Sequence, residues 1–386
     1  MRIAFYAPMK PTCDPRPSGD RRMARLLQAA LVRGGFTVET ASRFSSYDGT
    51  GDSECQSRAA AFGGRLAEML IRRYERRARS QRPDLWFTYH LYHKAPDWLG
   101  PAVSGALSIP YVVAEASFAP KQNGGPWAVG HAGAGAAIAA ADLVFNLNRA
   151  DAAEVRSILV DPARLVPLNP FSEQVERTMG RSAGRRRARA LLARRHAFAE
   201  AATPLLLCVA MMRTGDKLAS YRCLARALVR LRDLPWRLLV VGDGPARSAV
   251  NAALAALGRR RVIGLGLCEG AKLAGAFAAA DLFVWPAIGE AYGMAMLEAQ
   301  AGGLPVVAGR TGGVPDIVAH GKSGLLAPVG EPQALAAAIR RLLVDPSRRT
   351  EMAKAARRKA MRHHGLSAAA ARLRAHLLAL LEASRP

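Results

Sequence analysis

The sequence predicts an α/β protein made of two parallel-sheet halves in series, and three observations carry that prediction. The chain has 386 residues, more than one typical core organises, and half of them are hydrophobic, so each half can bury its own core. Short apolar runs bounded by glycine- or proline-containing loops alternate with stretches of helical periodicity, which is the pattern of βαβ units. That pattern lapses in an arginine-dense stretch past Pro170 and restarts at residue 204.

The first half opens with a strand, RIAFYAP (2–8), and a polar, proline-rich loop. A helix follows over RRMARLLQAALVRGG, stopped by Gly34-Gly35, and then a strand, FTVETA (36–41). Residues 64–79 read as a basic amphipathic helix with Leu66, Met69 and Leu70 on one side. DLWFTYH (84–90), IPYVVAEAS (109–117) and DLVFNLN (142–148) are further strands. Arg181 to Arg195 reads as a connection followed by an exposed helix. In the second half PLLLCVA (204–210), WRLLVVGDG (236–244), VIGLG (262–266), DLFVWPA (281–287) and LPVVAG (304–309) are strands with helices between them, the first over 218–231. The closing helix, 366–383, is rich in alanine and leucine and can pack on either half.

No apolar run approaches the roughly 18–20 residues of a membrane helix, and MRIAFYAP is too short for a signal peptide's apolar core. Five cysteines, with no C-x-x-C pair, read as free thiols in a reducing cytoplasm. The net charge of +25 implies an acidic partner: nucleic acid, anionic lipid or a phosphorylated substrate. The plain alternative is a solvated surface rich in arginine. No zinc finger, recognition-helix pattern or aromatic RNA-binding motif supports nucleic acid.

The candidate chemistry lies in the second half. RTGDK (213–217) follows a strand, and in open α/β sheets ligands bind beyond strand ends, so Arg213 and Lys217 suit a diphosphate. VVGDGPA (240–246) lacks the third glycine of the dinucleotide fingerprint and reads as a turn more readily than as an NAD site. Glu290 and Glu298 stand eight residues apart, about 12 Å if both lay on one helix. Between them, a helix starting near Gly293 and Met294 would aim free N–H groups at an anion. Glu298, among Met296, Leu297, Ala299 and Ala301, needs hydroxyl partners if buried. The plain alternatives are a solvated loop for RTGDK, a capping role for Glu290 and a water-facing Glu298.

Taken together, Glu290-x7-Glu298, the GGVPDIV run from Gly312 to Val318, the segment from Gly321 to Leu326, VVGDGP and RTGDK resemble the nucleotide-binding half of family 4 glycosyltransferases, retaining enzymes of the GT-B fold. The resemblance is strong over about 204–345 and weaker over 1–170, and it overturns the plain readings of those four charged residues. It implies two facing Rossmann-like domains with the donor in a cleft between them. The expected bounds are 1–175 for the acceptor-side domain, completed by 366–386, and 176–365 for the nucleotide-sugar domain. It further implies a nucleoside diphosphate sugar as donor, with Glu290 on the sugar hydroxyls and Glu298 on the ribose diol. Arg213, Lys217 and the N–H groups near Gly293 and Met294 would neutralise the leaving diphosphate. Gly19 would let backbone approach the donor. The chain has no D-x-D motif, and the resemblance implies neither metal nor cofactor. Where many members carry a histidine after the fourth strand, this chain has Glu115, so Glu115, His90 and His131 are the acceptor-side candidates. The LNPFSEQ run lacks the aspartate usual before the second domain. The basic stretches 64–82 and 181–195 suit peripheral contact with an anionic membrane, where a glycan, lipid-linked or small-molecule acceptor would be met. Alternatives are another GT-B enzyme, such as a nucleotide-sugar epimerase or phosphorylase-like enzyme, and a non-catalytic binder of nucleotide or nucleic acid.

Overall fold

The computed structural model describes residues 1–15, 18–177, 182–196, 203–290 and 292–384. It divides into two units, Met1–Asn169 with Leu366–Pro386, and Pro170–Gly365.

The first unit holds a six-stranded sheet: β1 (Arg2–Tyr6), β2 (Thr37–Thr40), β3 (Leu85–Leu91), β4 (Tyr111–Ala116), β5 (Leu143–Asn146) and β6 (Leu165–Pro167), in the order β2-β1-β3-β4-β5-β6. Every pairing is parallel. The strands read as nearly continuous apolar runs because helices cover both faces. On one face Phe5, Phe87 and Phe145 stack in series. On the other, Tyr6, Trp86, Leu91 and Val113 join Leu70 and Tyr74 of helix Ser53–Glu75.

The second unit repeats the architecture with β7 (Leu205–Val209), β8 (Arg237–Val241), β9 (Val262–Gly266), β10 (Leu282–Trp285), β11 (Val306–Gly309) and β12 (Gly324–Ala327). Their order is β12-β11-β10-β7-β8-β9, again all parallel. Strand order reverses direction between β1 and β3 in the first sheet and between β7 and β10 in the second. At such switch points the loops beyond the strand ends diverge and open a crevice.

Three expectations change on contact with the structure. The basic helix expected at 64–79 runs instead over Ser53–Glu75, because Asp52 Oδ1 caps it, accepting from the N–H groups of Glu54 (2.9 Å) and Cys55 (3.2 Å). Part of its charge is neutralised along its own face by Glu54–Arg58 and Glu68–Arg72 pairs. In the arginine-dense stretch, Arg181 lies outside the described residues, and helix Ser182–His196 is not simply exposed. Its Arg185 and Arg189 grip Asp281 at 2.5 and 2.7 Å, and the Leu205 amide donates to the same carboxylate. Burial alone would push the Asp281 pKa up, but this amide and the two guanidinium groups outweigh it and hold it below its ordinary value. Those two arginines tie the helix to the sheet. The closing helix Leu366–Ala383 belongs to the first unit, where Arg374 donates to Gly34 O and Arg372 to Pro167 O, both at 2.6 Å. Finally, the boundary between units falls after Asn169, not after residue 175, because Ser172 N donates to His364 O at 3.0 Å and Val175 enters the second core. Among the described residues no helix is long and apolar enough to cross a membrane.

His364 holds both crossing segments of the second unit together, its Nδ1 lying 2.6 Å from Pro170 O while the ring is buried. Burial, reinforced by Lys359 and His363, pushes its pKa down to about 4 although the Pro170 carbonyl pulls the other way. In the unfolded chain the ring titrates near 6.5. Between those values the unfolded state binds the extra proton, so stability is full above pH 6.5 and falls as pH drops toward 4. The expected loss is about 3 kcal/mol, at about 1.4 kcal/mol per pH unit. Urea unfolding of wild type and His364→Gln at pH 7 and pH 4 checks this. Equal pH dependence in both proteins would show that His364 does not carry the effect.

Candidate functional site

In the second unit, the loops after β7 and β10 leave neighbouring strands at the switch point, and each carries charge. The β7 loop runs Met211-Met212-Arg213-Thr214-Gly215 into helix Asp216–Val229, so Lys217 lies in that helix's first turn. The β10 loop carries Glu290. Lys217 Nζ meets Glu290 Oε2 at 2.5 Å, with the side chains 27% and 18% exposed. The indole Nε1–H of Trp285, the last residue of β10, donates to the same oxygen at 3.2 Å. Trp285 in turn packs edge-on against Tyr221, and Lys217 Nζ stands 5.5 Å from the centre of its ring. The β10 loop is tied to helix Asp216–Val229 by Ser220 Oγ, which accepts from the Ile288 amide at 3.0 Å. Gly289 has φ 61°, and a Cβ there would overlap the Asp216 carboxylate, so no other residue lets the loops come this close.

Gly293, in the left-handed conformation at φ 80°, caps helix Met294–Ala301, which begins directly after the β10 loop. Glu290 therefore precedes this helix rather than opening it, and the 12 Å helical spacing to Glu298 does not apply. Glu298 is the fifth residue of the helix and is 5% exposed. Arg213 is exposed, with no carboxylate partner among the described residues. The motif from Gly321 to Leu326 serves packing. Gly324 sits where a Cβ would overlap Val306 O, and Leu326 N donates to His320 Nδ1 at 2.9 Å. Likewise Gly242 and Gly244 of the GDG turn press on Ala210 O and Met212 O, which sets the β7 loop in place.

In the first unit Gly19 starts helix Gly19–Arg33 behind the Ser18 cap, with open space where a Cβ would stand. Next to it Asp20 Oδ1 approaches His90 Nδ1 at 3.3 Å, an ion-pair contact across the β1–β3 switch point. Glu115 sits beside His90 on β4, and after burial itself its charge is the next cause that raises the Tyr89 pKa. Burial alone would lower the His90 pKa, but Glu115, Asp20 and Asp151 outweigh it and raise it. Asp20 is correspondingly lowered, first by its contact with His90. His131 stands apart from this group, 6% exposed on helix Ala128–Ala139 and stacked on Phe118 at 4.5 Å. Burial lowers its pKa. Sequence reasoning missed Trp285 and Asp20. Trp285 was absorbed into a strand, and Asp20 into a helix start, where an acid needs no other explanation.

Residues 203–345 match the family model described as "Glycosyl transferases group 1". A sulfoquinovosyl transferase, SQD2 of Arabidopsis thaliana, is 36% identical over 124 residues, which is 31% of this chain and 24% of that protein. A D-inositol 3-phosphate glycosyltransferase of Thermobispora bispora is 39% identical over 160 residues, 39% of this chain and 37% of that protein. The matched segment thus spans about a quarter to a third of these relatives' lengths. Over the whole chain, Anabaena HepE, crystallised with UDP, superposes with a TM-score of 0.71 at 18% identity, covering 98% of this chain and 100% of the other. Residues 203–345 thus resemble the glycosyl transferases group 1 family, within a chain that has the α/β fold of GT-B glycosyltransferases.

Proposed function

We propose that this protein is a retaining, metal-independent glycosyltransferase that moves a sugar from a nucleoside diphosphate sugar to an acceptor hydroxyl. The observation that carries the reading is the Lys217–Glu290 pair at the β7–β10 switch point, beside the start of helix Met294–Ala301. A cation and free helix N–H groups suit a diphosphate, and a carboxylate suits sugar hydroxyls. The binding of UDP by HepE, a protein of the same fold, supports a donor of this class.

In this reading the diphosphate lies against Arg213, Lys217 and the N–H groups of Gly293 and Met294. Glu290 accepts hydrogen bonds from the transferred sugar, and Glu298 from the ribose diol. The anomeric C–O bond to the diphosphate breaks, and the acceptor oxygen bonds to the anomeric carbon on the same face. The hydroxyl proton passes to the departing phosphate oxygen. The cations act on charge that grows as this bond breaks, so their contribution is larger in the transition state than in the ground state.

The test uses UDP, GDP, ADP and TDP in chelator, followed by thermal unfolding. One diphosphate at a hundred times its dissociation constant should stabilise the protein by about 2.7 kcal/mol. The matching sugar donor should then give a product whose anomeric configuration, read by NMR, equals the donor's. An inverted product removes the retaining assignment, and no response to any of the four diphosphates removes the donor assignment.

A further inference from the structure

At the amino edge of the second sheet, three cations whose side chains have no partner among the described residues surround one cavity. All strands of this sheet run parallel, so the loop that enters β12 lies at the edge opposite the strand ends that carry Lys217 and Glu290. A strand of four residues separates the two edges by about 13 Å. The loop is held firmly. Lys322 N and Ser323 N donate to Ala319 O at 3.0 and 2.9 Å, while Gln300 Nε2 and the Ala319 amide donate to the buried Ser323 Oγ. It carries Lys322 beside the first turns of helix Pro346–His363. Between loop and helix lies a cavity of about 580 Å³ lined by Lys322, Arg348 and Arg358, with Asp345, Ser347 and Glu351 on the same wall.

Asp345 is already committed, since its Oδ1 caps the helix by accepting from the Arg348 amide at 2.8 Å. The Nε of Arg348 is shielded from solvent and meets no acceptor. A shielded guanidinium N–H without an acceptor is costly, and an anion against the same guanidinium offsets that cost. A second cavity, of about 820 Å³, shares Arg358 and adds Lys354 and Arg362. These three follow one another at four-residue spacing, where like charges repel along one helix face. Two further cations of that wall, Arg357 and Lys359, are engaged elsewhere, Lys359 by the carbonyls of Asp316 (2.6 Å) and Ile317 (2.7 Å). The residues outside the description hold a single acid, Glu200, so the excess of cations does not rest on them.

We propose that the cavity bounded by Lys322, Arg348 and Arg358 is a second anion site, for a soluble phosphate ester or diphosphate, separate from the donor site and independent of the transferase reading. Two guanidinium forks and an ammonium group offer more donors than one carboxylate can use, and the outer oxygens of a phosphate dianion match them. Asp345 and Glu351 oppose a long polyanion such as nucleic acid, which would have to run across them. The helix turns Met352, Ala356 and Ala360 into the core, and no large apolar side chain of the cavity wall is exposed, so the wall suits a soluble ester better than a bilayer.

The experiment uses the full chain with saturating UDP. Pyrophosphate and glycerol 3-phosphate are titrated, with acetate, phosphatidylglycerol vesicles and duplex DNA as comparisons. Hydrogen exchange read by mass spectrometry shows where each is bound, and melting temperature is followed alongside. A phosphate compound should protect residues 319–323 and 345–358, and should still do so in Lys217→Ala, where the donor site is damaged. Arg348→Gln and Arg358→Gln should each weaken this binding about tenfold or more with UDP affinity unchanged. Arg358→Lys, which keeps the charge and loses the fork, should weaken it less. Protection confined to 213–217 and 290–297, acetate binding as tightly as the phosphates, wild-type affinity in both glutamine variants, or binding of vesicles or DNA alone would each overturn the proposal. Protection at 319–323 and 345–358 without any UDP binding would uphold this site and sink the donor reading.

Discussion

Replacing Glu290 with glutamine is expected to lower turnover about 100-fold or more while leaving the affinity for the nucleoside diphosphate undiminished. The split follows from the Lys217–Glu290 contact at 2.5 Å. In the free protein the carboxylate neutralises the cation that the diphosphate needs. Glutamine keeps the shape and releases Lys217, so diphosphate binding does not suffer. Turnover does, because the sugar loses a charged hydrogen-bond acceptor aimed at its hydroxyls; removing one preorganised polar contact of this kind typically costs about 10²–10³ in rate. Lys217→Ala should behave differently. It leaves a carboxylate beside the diphosphate with no cation between them, so both affinity, by about tenfold or more, and turnover should fall. Steady-state kinetics and diphosphate titration of the two variants separate the cases. Wild-type turnover in Glu290→Gln would remove that residue from the mechanism.

Gly242→Ala should be the most damaging single change in the second unit, destabilising it by about 4 kcal/mol or preventing its folding. The residue has φ 149°, a backbone that side chains rarely adopt, and an added Cβ would overlap the carbonyl oxygen of Ala210. That oxygen cannot retreat freely, because it also accepts from the buried Tyr221 hydroxyl at 2.8 Å, and Tyr221 packs on Trp285. The push would reach Arg213 as well, since Met212 N and Ala246 N tie the GDG turn to the β7 loop. Urea unfolding monitored by tryptophan fluorescence, with diphosphate titration of whatever folds, checks the claim. Stability within 1 kcal/mol of wild type would mean that the β7 loop is far softer than its hydrogen bonds imply.

The sequence made most of the elements legible. Runs such as LLLCV, RLLVV and LFVW are apolar throughout because both sheet faces are covered, and they appear as strands at the expected places. It was less informative at element ends. Helix Ser53–Glu75 begins eleven residues before the apolar periodicity shows itself, because Asp52 caps a polar first turn. Arg185 and Arg189 resembled surface charge because Asp281, their partner, is more than ninety residues away.

Local chemistry also marked the second-unit residues one at a time: a glycine-broken loop after a strand with two cations, two acids around a helix start, a family resemblance over about 204–345. Their assembly is another matter. Lys217 and Glu290 are 73 positions apart, and they meet only because β10 inserts next to β7 and not beside β9. The same holds for Asp20 with His90, joined by the β1–β3 adjacency, and for the home of the closing helix on the first unit. Periodicity, capping and turn chemistry are properties of a few neighbouring residues, so the sequence alone determined which segments become strands and helices and which loops carry charge. Strand order depends on how whole faces pack against one another, and only the tertiary structure decided which of those loops stand together.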